Sequence, residues 1–203
     1  MPRTNLRFSG FRVAYPDQAP EPVACFLADN YATAAYIGDP VKAVSDGSVS
    51  HHAAGEGVYG VIVGIIGFVN SNGVYVKNGK YIPANTRWTA HADRSQVLVV
   101  PAAPRTLFDI QADDATTVAA LSTARSLRGN NFDIVAGTAD TGLGNSGYLC
   151  DISTAAVTAT LSWRIEDVVE SPYNDPVSNT RFTLRCYANI LSNFGGLPVL
   201  LGV

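Results

Sequence analysis

Two adjacent histidines, His51 and His52, are the first residues of this 203-residue sequence whose type suggests chemistry, and His91 is the third imidazole. Imidazoles bind zinc when they converge with other histidines, cysteines or carboxylates at short spacings. Neighbours on a strand point to opposite faces, so His51 and His52 are not expected to share an ion, and no cysteine lies near them. Ser146 sits in Gly144-Asn145-Ser146-Gly147, where Tyr148 takes the place of the second glycine of a nucleophile elbow. A turn is expected there. The carboxylates Asp109, Asp113, Asp114, Glu166, Asp167 and Glu170 could supply an acid and a base. Their spacing fits strand faces, a helix cap and a loop equally well, so each is expected to be solvated or capping. Neither a catalytic residue nor a metal ligand is assigned.

Gly55-Glu56-Gly57-Val58-Tyr59-Gly60 matches the G-x-G-x-x-G dinucleotide fingerprint in letters only. That fingerprint needs a helix behind it and an acidic residue about 20 positions on. Here Val61, Ile62, Val63, Ile65 and Ile66 favour a strand, and residues 77–80 are basic. No cofactor is expected, and Gly60, Gly64 and Gly67 are expected to let a long buried strand bend or bulge where other backbone approaches. Cys25, Cys150 and Cys186 are far apart, odd in number and without a C-x-x-C pair. They read as small buried thiols of a chain made in a reducing compartment.

The elements that would carry these residues are mostly strands. Apolar residues make up 47% of the chain, charged ones 15%, and there are 18 glycines and 11 prolines, a mixture typical of short strands and tight turns. Residues 96–100 form an apolar run expected to be buried on both faces. Pro101 and Pro104 bound a corner, and Phe108, Ile110 and Ala112 then alternate with Asp109 and Gln111, a pattern of one buried face. Asp46-Gly47 and Asn78-Gly79 each read as a two-residue hairpin turn, the second joining residues 74–77 to 80–83. Residues 113–127 are the one helical segment, with Asp113 or Asp114 as cap and Gly129 as stop. Leu161, Trp163 and Ile165, and later Phe182, Leu184, Cys186, Ala188 and Ile190, alternate with polar residues as half-buried strands do.

The expected fold is all-β and mainly antiparallel, a jelly-roll or barrel-like sandwich with one short helix. Residues 1–22 form an N-terminal arm, 23–194 a single β domain and 195–203 an apolar tail. A net charge of -3 provides no basic field for phosphates, so nucleic acid is not an expected partner. The apolar stretch 58–69 is shorter than the roughly 20 residues that span a bilayer, so no membrane partner is expected. Residues 1–14 lack the apolar core of an export leader, so synthesis in a cytoplasm is expected.

The order of several blocks carries a resemblance. Tyr31-Ala32-Thr33, Gly38-Asp39-Pro40-Val41, Ala53-Ala54-Gly55, Gly60-Val61-Ile62-Val63-Gly64, Tyr81-Ile82-Pro83-Ala84-Asn85-Thr86 and Phe108-Asp109-Ile110-Gln111-Ala112-Asp113 follow one another. Gly144-Asn145-Ser146-Gly147 before Asp151, and the arginine strand 185–189 after the Asn174 loop, complete the series. This order resembles the head decoration, or cement, proteins of tailed bacteriophages over most of residues 31–190. The resemblance implies a structural virion protein, not an enzyme, made in the host cytoplasm and bound to the exterior of an expanded capsid. Its implied partners are the major capsid protein and further copies of itself, a trimer being favoured over a dimer. Arg3, Leu6, Phe8 and Phe11 of the arm, with Leu197, Leu200 and Leu201 of the tail, are the expected oligomer or capsid contacts. The alternative is a carbohydrate-binding or receptor-adhesion module, which would cluster aromatics such as Trp88, Tyr75 and Tyr173 on one face. An enzyme would instead bring two carboxylates together in a cleft.

Overall fold

Val61 and Ile62 point into different hydrophobic cores, and the strand that carries them separates the two. The computed structural model describes residues 10–15, 19–28, 33–84, 95–104, 106–113, 121–171, 174 and 182–189. In chain order the elements are β1 (Arg12–Val13), β2 (Val23–Phe26), β3 (Ala35–Tyr36), β4 (Pro40–Ala43), β5 (Val49–His51), β6 (Gly60–Val69), β7 (Tyr75–Lys77), β8 (Tyr81–Ile82), β9 (Gln96–Pro101), β10 (Phe108–Gln111), α1 (Leu121–Ser126), β11 (Asn131–Ala136), β12 (Tyr148–Ala156), β13 (Trp163–Val168) and β14 (Thr183–Ala188). The expected all-β, antiparallel class with one short helix is what the chain adopts.

One sheet has the order β1-β10-β14-β13-β11-β12, and a second has the order β2-β9-β6-β4-β5, with β7 added beside β6. A small third sheet pairs β3 with β8. Every ladder between named strands is antiparallel. Phe108, Phe132, Trp163, Ile165 and Leu184 of the first sheet share a core with Val61 and Val100 of the second. Ile62, Val97 and Val99 face the other way, onto Leu27, Ala35 and Ile82. β6 and β9 are therefore covered on both sides, which is why they read as continuous apolar runs. The proline corner after β9 carries the chain from the second sheet into the first, where β10 begins.

β12 returns toward β10 through a single parallel bridge, Ala112 to Cys150. One bridge is not a ladder, so the first sheet curls without closing, and the barrel-like option gives way to a sandwich. Asp113 is part of this junction: its amide donates to the Cys150 carbonyl and its Oδ1 accepts from the Ile152 amide at 3.1 Å. The helical cap expected of Asp113 or Asp114 falls on the segment 114–120, which lies outside the described residues. Gly129, at φ +82°, follows α1 closely and acts as the expected stop.

Two turns differ from expectation. At Asp46-Gly47 the Val44 amide donates to the Ser48 carbonyl and Gly47 takes φ +81°, so three residues, not two, make the loop. Asp46 Oδ1 fixes it by accepting from the Ser48 amide at 2.9 Å. At Asn78-Gly79 no hairpin forms, although Asn78 does adopt φ +53°. β7 pairs instead with β6, through the turn at Asn72-Gly73, and β8 pairs with β3. The long β6 already offers β7 a ladder, and Asn78 extends it by donating to the Ile66 carbonyl.

Gly60, Gly64 and Gly67 behave as expected. The β6 to β9 ladder shifts register between Ile62 and Gly64 and again between Ile65 and Gly67. A Cβ at Gly60 would strike the Val100 carbonyl, and one at Gly67 would strike the Tyr75 ring. Gly55 and Glu56 belong to a turn closed by the Glu56 amide on the Ala53 carbonyl, with β6 rather than a helix behind it. That context removes the nucleotide reading of the glycine motif.

Candidate functional site

Asp39 closes the turn that leaves β3 and directly precedes β4, and the antiparallel pairing of β4 with β5 brings His51 alongside it. Asp39 is 2% exposed. Its Oδ2 accepts from the Tyr36 amide at 2.8 Å and faces His51 Nε2 at 2.8 Å. With His51 neutral, its Nε2 proton must point at the carboxylate for this contact to be a hydrogen bond. The dyad borders a cleft of about 100 Å³ whose wall is completed by Thr33, Ala34 and Tyr36 on one side and by Ala136, Ala139 and Tyr148 on the other. All three sheets meet here. The junction is held by the Ile37 amide on the Gly144 carbonyl and the Ser146 amide on the Ile37 carbonyl. Lys80 Nζ adds a bond to the Gly142 carbonyl at 2.7 Å.

Tyr148 stands edge-on to the His51 ring, with centroids 6.2 Å apart. Burial, with the Asp39 charge in addition, raises its phenol pKa. Tyr36 stacks on Tyr81 at 5.1 Å, and burial, then Tyr81 and Asp39, raise its pKa too. Both hydroxyls are therefore held as neutral donors. Ser146 is buried in the expected turn, and its Oγ accepts from the Tyr148 amide at 3.1 Å.

His52 points to the opposite face, as neighbours on adjacent positions should, and is buried edge-on to Trp163. Among the described residues neither of its ring nitrogens has a hydrogen-bond partner. Burial lowers its pKa from 6.5 to about 4, with Glu56 and Asp133 pulling weakly the other way. The described residues contain no group of three metal-ligating side chains, and His91 lies outside them.

Asp109 overturns the expectation of a solvated carboxylate. It is 4% exposed, and the β10 strand is buried on both faces rather than one. Arg12 on β1 and Arg185 on β14 are its direct cross-strand partners, so three neighbouring strands carry an Arg-Asp-Arg row. Arg185 Nε donates to Asp109 Oδ1 at 3.0 Å, and Arg12 lies 3.7 Å from Oδ2. The Arg185 guanidinium also bonds the Tyr15 hydroxyl and lies 4.5 Å from the Tyr15 ring centre. Glu166, Asp167 and Glu170 keep to the solvated reading: they lie at the surface beside Arg128 and Arg125.

Phe11 is the one expected interface residue among those described, and it is a core residue. It packs face to face on Trp163 in this chain's interior. Arg3, Leu6, Phe8, Leu197, Leu200 and Leu201 lie outside the described residues, as do Trp88 and Tyr173. Tyr75 is 53% exposed at the end of the β6-β7 hairpin. Cys150 and Cys186 are fully buried, and burial holds their thiols well above the ordinary range. Cys25 is only half-buried.

Sequence reasoning singled out His51 and Asp109 but missed Asp39, Tyr36, Tyr148 and Arg12 as members of these clusters. The available signal for Asp39 was a lone carboxylate between Ile37 and Val41, an apolar setting where a charge needs a partner. Compared with protein-family models, with curated proteins and with solved structures, the chain shows no match.

Proposed function

We propose that this chain is a structural virion protein that binds the outer surface of an expanded tailed-phage capsid and stabilises it by bridging neighbouring major capsid subunits. It acts in this reading as a homo-oligomer, a trimer in preference to a dimer, without cofactor or turnover. The order of sequence blocks described above is what suggests the class. The structural observation that favours bridging is the position of the four most exposed large apolar side chains among the described residues. Val157, 85% exposed, follows β12; Leu143 tops the turn between β11 and β12; Val74 and Tyr75 end the β6-β7 hairpin. These are three separate turns on a double-core scaffold, and simultaneous engagement of several weak contacts raises affinity without new chemistry.

Co-sedimentation of the purified chain with undecorated expanded capsids, alongside unexpanded shells, tests the reading. Saturable binding to the expanded form at a fixed ratio to capsid subunits is the expected result. Failure to bind either shell sinks it, and recognition of a glycan array in that case would move the chain to the adhesion class.

A further inference from the structure

The cleft beside the Asp39-His51 dyad is shaped for one narrow group with an apolar stem and a charged end. A cleft of about 100 Å³ has room for one slender side chain. Ala34, Ala136 and Ala139 offer methyl groups, and Tyr36 and Tyr148 offer ring surface. Against these walls stands a carboxylate that is 2% exposed and whose Oδ2 is shared between the Tyr36 amide and His51 Nε2. A buried carboxylate gains from each further donor that reaches it, and a cation entering the cleft would be a charge-assisted one. Asp39 Oδ2 already accepts two contacts, yet a carboxylate has about four acceptor positions, so capacity remains.

We propose that the cleft is a receptor for a lysine side chain presented by a partner protein, with its butyl stem along the alanine and tyrosine walls and its ammonium at Asp39. Arginine fits less well, because its planar fork is best met by two open carboxylate oxygens, and Oδ2 is engaged here. The two tyrosine faces add cation-π attraction for the ammonium. The proposal goes beyond capsid decoration, since it fixes the chemistry of one contact and holds whatever protein carries the lysine.

The test is a titration of the full chain with n-butylammonium, followed by NMR of the His51 and Tyr148 rings, with 1-butanol and glucose as matched probes. Saturable shifts with butylammonium are expected, with 1-butanol about tenfold weaker, the ratio for losing one charge-assisted hydrogen bond. Asp39→Asn should weaken the amine by a similar factor. Ala136→Leu fills the cleft without touching the dyad and should abolish the shifts, which covers the case in which Asp39→Asn does not fold. No saturable amine response, an equal response to 1-butanol, a stronger response to glucose, or an amine response unchanged in Ala136→Leu would each overturn the assignment. Because the probe is a small amine, a negative result leaves the capsid reading intact, and a chain that takes the amine but ignores capsids refutes only the latter.

Discussion

Phe11 stacks on Trp163, with ring centroids 4.2 Å apart and planes 27° from parallel, and both rings lie edge-on to Phe108. Three aromatic rings from β10, β13 and the start of the described chain thus form one unit. Gly10 allows the approach: its amide donates to the Tyr148 carbonyl, its φ is +83°, and a Cβ there would run into Ser146. Phe11→Ala should therefore lower unfolding free energy by about 3 to 5 kcal/mol. Urea denaturation of the isolated chain checks this. An unchanged midpoint, with only capsid binding reduced, would return Phe11 to the interface.

Asp109 and Arg185 form a pair of which the carboxylate is buried and the guanidinium partly so. Removing one member of a buried pair strands the other, so Asp109→Ala should cost about 3 kcal/mol. Arg12→Ala should cost less, because that side chain is largely exposed and its contact is longer. If the row acts as a unit, Asp109→Ala combined with Arg185→Ala will lose less than the two single losses added together. Strict additivity in a double-mutant cycle would show that the contact carries no coupling.

The class of fold was legible because the chain repeats its strand signals, and β6, β9, β13 and β14 lie close to where alternation and β-branching place them. The layer order was not. A dipeptide such as Asn78-Gly79 marks where the backbone reverses, but the choice between β6 and β8 as neighbour of β7 depends on which ladder is open. The same limit applies to the clusters. Asp109 looks solvent-facing by alternation, and its partner Arg185 is 76 residues away, so only the folded sheet reveals that both faces of β10 are covered. His51 was visible as chemistry, whereas Asp39 enters only once β4 and β5 are paired.

Gly60 and Gly64 sit on the same strand but should respond differently to substitution. A Cβ at Gly60 collides with the Val100 carbonyl, a backbone atom of the paired strand that cannot move alone. At Gly64 the nearest atom is Leu98 Cδ1 at 3.4 Å, at the end of a side chain with freedom to adjust. Gly60→Ala should destabilise by about 1 to 3 kcal/mol, as overpacking does. Gly64→Ala should change stability by less than about 1 kcal/mol in either direction, since lost chain entropy offsets the tighter contact. Thermal unfolding of both variants decides it, and equal losses would mean that the bulges, not the close approach at Gly60, set the requirement for glycine.

His52 should make the protein acid-sensitive in a defined window. Its folded pKa is about 4 against an ordinary value of 6.5, so between those values the unfolded chain binds a proton that the folded chain refuses. Stability from this group is complete above about pH 6.5 and is lost as pH falls toward 4, by on the order of 3 kcal/mol in total. His52→Leu removes the titration and also removes two buried ring nitrogens that have no partner among the described residues. The variant should match or exceed the parent at pH 7, because an unsatisfied buried polar group is replaced by an apolar one. Its margin over the parent should then widen as pH is lowered from 6.5 to 4. Denaturant titrations of both proteins across that range measure the margin; a constant difference would show that folding leaves the His52 pKa at its ordinary value, and a shrinking one that the folded chain holds the ring protonated.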